Sequence, residues 1–454
     1  MNSSESLKKV NLDYLKYLHK ADNPPGLLKK QIESMNKHLE ERRALARGKV
    51  LPTFVRPIFL TLQQMKRFKE VVEIMLGVQE KVIRLYFESP EHSDLFQLKD
   101  KESALVKIPS RLERFIYFSR MDTIFTENSF KFLEFNCDSP GGAYYSDIQT
   151  ELLLDLPFMK ELSLKWKFKE ETYRPKVLKA LLSAWKSAGR TEKPRIAVMG
   201  NPDVANVEEF KLFAEYFVQL GYEAFFSDPW HADYNGKTLS VDGNPVDLIY
   251  RRGVLKDYSQ RWEEVKPIIQ AYKDGNVLFA NPLNAKLGDN KNLLGLMTSE
   301  RFTHLFTKQE LSVIQEHIPW TRPLKDTKTE YQGSTIDLIE FVRIRRKNMV
   351  IKPNAEYGGR GVLIGHETSQ SIWDDALERS FKENLVVQEY VPIPIMEFPV
   401  FSPNLTMVPK KTNMNFFTFA GNFGGGFART SDSSVINISK GGALVAFVTV
   451  EGLR

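Results

Sequence analysis

The sequence predicts a mixed α/β (α+β) chain, and three observations carry that expectation. Residues 195–250 alternate buried-strand and amphipathic-helix patterns, as an α/β unit does. Residues 113–150 and the last hundred residues hold β-rich runs bounded by polar or glycine-rich turns. Residues 1–90 carry helical spacing instead. A chain of 454 residues suggests about three domains, at roughly 150 residues each.

The elements follow in chain order. Residues 1–58 read as short helices broken by Asn23-Pro24-Pro25-Gly26. Thr61 and Gln64 form a candidate capping box. Met65, Phe68, Val72, Met75, Val82 and Tyr86 then keep helical spacing, which predicts one long helix ending near Ser89-Pro90. FIYFSRMDTIF and FKFLEFNCD, separated by Thr126-Glu127-Asn128-Ser129, predict a hairpin, and residues 151–190 return to helix. RIAVM, VEEFKLFAEYFVQL, YEAFF and DLIYRR predict strand, helix, strand, strand. No GxGxxG fingerprint accompanies them, so no dinucleotide site is expected there. Beyond residue 276 come a strand-like VLFAN, a helix-like KNLLGLM, the runs MVIKP and LVVQEYV, and a β-rich tail. The segments expected are 1–95, 96–190, 191–285 and 286–454.

Composition excludes several functions. The 63 Lys+Arg exceed the 57 Asp+Glu by 6, and residues 1–60 hold that whole excess. A basic surface mixed with aromatics over a working domain is missing, so no nucleic-acid partner is expected. A single cysteine, Cys137, leaves no disulfide framework and no cysteine-rich zinc site. The seven histidines form no i, i+3 or i, i+4 pair. No apolar run approaches the roughly 20 residues of a membrane span, and the charged N-terminus lacks a signal-peptide core. The expected setting is a reducing cytoplasm.

Three constellations could carry chemistry. In VIKPNAEYGGRGVLIG, Lys352 ends a β-run ahead of Gly358, Gly359 and Gly361. Glycines let backbone N–H groups approach a polyanion, and a lysine supplies a point charge. The segment fits a phosphate loop or a hairpin turn with a surface lysine. In FKFLEFNCD, strict alternation puts Phe132, Glu134, Asn136 and Asp138 on one face. Oxygen ligands at i, i+2 lie about 7 Å apart, a reach suited to magnesium ions on phosphates. Asp122 and Arg120 on the partner strand can share that face. A solvated polar sheet face has the same pattern. Cys137 falls on the apolar face and reads as a core residue. In FGGGFARTSDSSVINISKGG, Arg429 and Asn437 stand between β-runs among glycines, where an arginine could stabilise a phosphoryl group or hairpin turns could form.

Taken together these residues resemble the ATP-grasp superfamily. MVIKPNAEYGGRGVLIG is similar to its lysine and mobile glycine loop, and LVVQEYV to its hinge strand. SRMDTIFTENSFKFLEFNCDSPGG resembles the magnesium hairpin of D-alanine–D-alanine ligases, and GGGFARTSDSSVINISKGG a stretch of the ribosomal-protein glutamate ligases. The hairpin precedes the lysine, the order of circularly permuted members such as the glutathionylspermidine synthetase-like group. The fold implied is a permuted ATP-grasp with an N-terminal helical segment and a Rossmann-like α/β domain before the lysine part.

The resemblance also implies roles. ATP and Mg²⁺, with two ions, would be the cofactors. Asp122, Glu134 and Asn136 would hold the metal. Lys291 and Lys352 would contact phosphate, and Gly358, Gly359 and Gly361 would cover it. Gln388, Glu389, Tyr390 and Val391 would line adenine, with Glu397 at the ribose. Arg120, Arg429 and Asn437 would act at the transferring group. Arg251 and Arg252 could bind a substrate carboxylate or form a surface doublet. The leading function is a carboxylate–amine ligase working through an acylphosphate, on a small-molecule or peptide carboxylate and an amine, as a monomer or homodimer. A phosphotransferase and a non-catalytic nucleotide-binding protein are the alternatives.

Overall fold

Apolar runs from both ends of the chain meet in one eight-stranded sheet. The computed structural model describes residues 3–125, 129–356, 358–401, 404–438 and 442–454. Thr126, Glu127 and Asn128 of the expected turn, Tyr357 of the glycine loop and Gly441 lie outside them. The sheet order is Ile58–Thr61, Ala443–Leu453, Asn422–Ser431, Leu405–Phe419, Phe118–Phe125, Phe130–Asn136. Strand Ile395–Phe401 adds to Leu405–Phe419, and Trp166–Lys169 to Ala443–Leu453. Only Ile58–Thr61 runs parallel to its neighbour.

Helix Leu62–Leu85 covers one face of this sheet. Its N-terminus is fixed by the capping box read in the sequence, Thr61 with Gln64. Phe68 tilts on Phe416 with ring centroids 4.9 Å apart and meets Phe125 and Phe130 edge-on. Val72, Met75 and Val82 are buried below it, and each large apolar side chain so buried contributes about 1.5–3 kcal/mol. The helix stops at Leu85, short of the expected end. Ser89 instead caps a new helix, Pro90–Asp94, accepting from the His92 N–H. Proline is tolerated at that first turn, where its missing N–H costs nothing.

The α/β expectation for residues 195–250 holds, and the strand read at VLFAN joins the same sheet. Four parallel strands lie in the order Leu278–Ala280, Leu248–Arg251, Ile196–Met199, Ala224–Ser227. The periodicity did not reveal the antiparallel sheet of Ala232–Tyr234, Leu239–Val241 and Asn244–Val246, whose strands are only three residues long. Residues 151–190 are not all helical: Trp166–Lys169 is a strand between helices Pro157–Lys165 and Arg174–Ser187, with Trp166 fully buried.

A third sheet carries the lysine run. Its order is Thr321–Pro323, Leu385–Glu389, Met349–Pro353, Leu363–Ile364, all antiparallel. Ile351 and Val387 face helices Leu338–Ile344 and Gln370–Arg379, so Val350, Lys352 and Gln388 turn to the opposite face. The basic N-terminal segment spends part of its charge internally: Arg42 pairs with Glu151, and Arg43 with Glu208 and Glu215.

Candidate functional site

The hairpin register builds the site. Asp122 lies opposite Glu134 and Arg120 opposite Asn136. A bulge then sets Thr123 against Phe132, leaving Leu133 as the extra residue. A bulge inserts one residue and shifts the phase of the strand. That corrects the alternation: Phe132 packs in the core with Phe135, not beside Glu134. Asp138 also leaves that face, being 2% exposed and tied to Arg251. Cys137 is fully buried, and burial first of all pushes its thiol far up.

On the other side of the hairpin, strand Leu405–Phe419 sets Asn415 opposite Asp122 and Asn413 opposite Arg429. One sheet face therefore collects Arg120, Asp122, Glu134, Asn136, Asn413, Asn415 and Arg429. Asp122 Oδ1 accepts from Arg120 Nε at 2.9 Å and from Asn136 Nδ2 at 3.1 Å, while Oδ2 accepts from Arg429 Nη2 at 2.5 Å. Burial opposes the Asp122 charge, but Arg120 and Arg429 outweigh it and hold the carboxyl below its usual range. Asn413 and Asn415 were missed in the sequence. Their signal is two asparagines at i, i+2 in TNMNFF, a run otherwise suited to a core strand.

Two lysines close on this face. Lys291 Nζ stands 3.5 Å from Glu134 Oε2 and donates to the Glu356 carbonyl at 2.7 Å. Lys352 Nζ donates to the Leu133 carbonyl at 3.3 Å and to Gln388 Oε1 at 2.6 Å. Gln388 Nε2 in turn donates to Thr321 Oγ1, whose hydroxyl donates to Pro319 O. This polar chain fixes the amide, so Gln388 is a buried prop for Lys352. Burial outweighs the nearby Glu134 and Asp122 charges and holds Lys352 down to about 8.

The glycine loop turns with left-handed φ of +70°, +70° and +68° at Gly358, Gly359 and Gly361, values that side chains other than hydrogen resist. Asn437 Nδ2 donates to Gly358 O at 2.7 Å, so it ties that loop to the strand bearing Arg429. Glu389, Tyr390 and Val391 line a cavity of about 560 Å³ with Lys131, Trp320 and Arg322. Lys131 stands three residues before Glu134 on the same strand, roughly 10 Å along it.

Three sequence candidates are placed elsewhere. Arg251 is fully buried and bonded to Asp138, Gly253 O and Asn281 O. Arg252 donates to Glu209, the Tyr250 hydroxyl and Pro140 O. Both guanidinium groups therefore lie inside the protein, not presented as a surface doublet, and Arg252 Nε is buried without a partner. Glu397 is exposed on strand Ile395–Phe401, and its carbonyl accepts from Arg56. Among the described residues no side-chain bond joins Glu397 to the lysine and arginine cluster.

No family model matches the chain, and no characterised protein matches it in sequence. Its fold is shared more widely. A glutathione synthetase-like effector from Globodera pallida, in its apo form, superposes with a TM-score of 0.62 at 10% identity, over 93% of this chain and 97% of its own. A putative gamma-glutamylcysteine synthetase from Methylobacillus flagellatus gives a TM-score of 0.44 at 10% identity, over 83% of this chain and 88% of its own. The chain has a mixed α/β fold shared with that glutathione synthetase-like effector. Within that class it resembles the glutathione synthetase-like effector in fold over nearly its whole length.

Proposed function

We propose that the chain is an ATP- and Mg²⁺-dependent ligase that joins a carboxylate to an amine through an acylphosphate. One observation carries the reading. Four cations, Arg120, Arg429, Lys291 and Lys352, converge around two carboxylates, Asp122 and Glu134. Such a surplus is arranged for a polyanion. The glutathione synthetase-like fold supports it.

The residues present fit the cofactors. Arg429 Nε is buried without a partner, a donor in reserve. Glu134 and Asn136 supply oxygens beside the lysines, and Asp122 supplies the third metal ligand. When bound, Mg²⁺ neutralises the triphosphate and the leaving phosphate. Lys352 and Lys291 hold phosphate oxygens. The glycine loop covers them and excludes water, held down by Asn437. The cavity at Glu389, Tyr390 and Val391 takes the base, since Lys131 in its lining stands roughly 10 Å along the strand from Glu134. Arg120 and Arg429 stabilise charge on the transferring phosphoryl group and on the oxyanion that follows. The hairpin lies ahead of the lysine strand in the chain, which we read as circular permutation.

The test is ADP release with Mg²⁺-ATP over pools of carboxylates and amines. A stable phosphorylated product with no amide would replace ligase by phosphotransferase. Glu134→Gln and Asn136→Ala are expected to abolish that turnover in folded protein, because neither side chain packs in a core. Unchanged turnover in both would remove the metal assignment.

A further inference from the structure

The asparagine pair on strand Leu405–Phe419 has no role in the reading above. Asn415 is fully buried, yet its Oδ1 has no partner. A buried polar atom left unpaired costs stability, so its retention needs an explanation. Its other end supplies one. Asn415 Nδ2 donates to Asn413 Oδ1 and to Phe427 O, both at 3.3 Å. The Phe427 carbonyl, which can only accept, fixes which end of the Asn415 amide is nitrogen. That in turn fixes Asn413, whose oxygen must face Asn415 and whose NH₂ must face away.

That NH₂ group belongs to a residue paired across the strands with Arg429. Asn413 is the cross-strand partner of Arg429, and opposed side chains start about 4.5–5.5 Å apart. Among the described residues nothing accepts from Asn413 Nδ2. Beside it Arg429 Nε is likewise unpartnered. Two sets of unused donors thus lie side by side, next to the Asp122 carboxylate that Arg120 and Arg429 share.

We propose that Asn413 is a further catalytic residue, donating to the phosphoryl group in transfer between Arg120 and Arg429, and that Asn415 positions its amide. The inference rests on the nucleotide reading of this site. A neutral donor beside two arginines adds a hydrogen bond directed at one oxygen without adding charge, so it favours the anion's geometry in transfer over the ground-state phosphate. An alanine at 413 removes the donor. An aspartate keeps the shape and replaces the donor by an acceptor.

The experiment measures binding of Mg²⁺-ADP to the full chain by calorimetry, with and without fluoroaluminate, a planar mimic of the phosphoryl group in transfer. Asn413→Ala and Asn413→Asp are expected to bind Mg²⁺-ADP within twofold of the unaltered protein and to lose at least tenfold of the tightening that fluoroaluminate adds. Asn415→Leu, which removes the orphaned oxygen, is expected to melt no lower than the unaltered protein and still lose tightening. Tightening unchanged in both Asn413 variants overturns the inference and leaves the nucleotide reading intact. Failure of the unaltered protein to bind Mg²⁺-ADP overturns that reading, and the inference with it.

Discussion

Two regions of this molecule bury a pair of arginines, and they use them in opposite ways. In the α/β unit, Arg251 pairs with Asp138 and Arg252 with Glu209, one carboxylate each. The other bonded donors go to backbone carbonyls and the Tyr250 hydroxyl, and Arg252 Nε is buried without a partner. Glu209 also accepts from the Gly142 and Tyr144 N–H groups at the start of helix Ala143–Asp155, so it caps that helix as well. On the large sheet, Arg120 and Arg429 share a single carboxylate, Asp122. A carboxylate for each arginine makes a framework. Two arginines on one carboxylate, with Lys291 and Lys352 close by, make a binding site. Burial and residue type alone do not separate the two.

The largest effect that would sharpen this contrast is in the framework. Asp138→Ala leaves Arg251 charged, buried and unpaired, and also removes the acceptor of the Leu255 N–H. Breaking a buried pair by removing one partner costs about 3–5 kcal/mol. Chemical denaturation should show that loss. A midpoint unmoved by Asp138→Ala would mean that the pair is not framework.

The matching change in the site is Arg429→Ala. Asp122 keeps Arg120 and Asn136, so little stability should be lost. Turnover should fall about 10²–10³-fold, some 2.7–4 kcal/mol, as when an oxyanion donor is removed. ATP affinity should hardly change, because Lys352 and Lys291 remain. Much weaker nucleotide binding would make Arg429 a ground-state phosphate ligand instead. Together the two variants form a crossed pair: one loses stability, the other loses rate.

What was legible in the sequence follows the same division. Local rules found the capping box at Thr61, the four strands of the α/β unit and the hairpin, because each is written within a few neighbouring residues. The hairpin spacing also brought Asp122 against Glu134. The fate of Arg251 and Arg252 was not legible, since their partners lie 113 and 43 residues away. Gln388 was read as an adenine contact because its position on the hinge is local information, whereas its bond to Lys352 comes from strand pairing. Phe132 was misplaced because a bulge has no signature in the alternation it interrupts. Asn413 and Asn415 gained meaning only when the third strand set them beside Arg429 and Asp122.

The smallest expected effect distinguishes the site's two kinds of cation by a proton. Arg120 and Arg429 stay charged at any working pH. Lys352 does not, because burial beside the neutral Gln388 holds it near 8. The sign follows from that depression. Above pH 10.5 the lysine is neutral folded or unfolded, so it costs the fold nothing. As pH falls from 10.5 to 8, the unfolded chain takes up a proton that the folded protein refuses, and stability is lost until Lys352 is charged in both. A bound triphosphate reverses the shift, since its charge favours the ammonium. At pH 9 the free protein holds about 0.1 proton on Lys352, and a return toward 10.5 on binding would raise that to nearly 1. Mg²⁺-ATP binding at pH 9 should therefore take up close to one proton, and at pH 7 roughly 0.1. Calorimetry in buffers of different ionisation enthalpy reads the number directly. Lys352→Met should abolish the uptake at pH 9. Equal uptake by Lys352→Met and the unaltered protein would place the titrating group elsewhere and leave Lys352 as permanently charged as its two arginine neighbours.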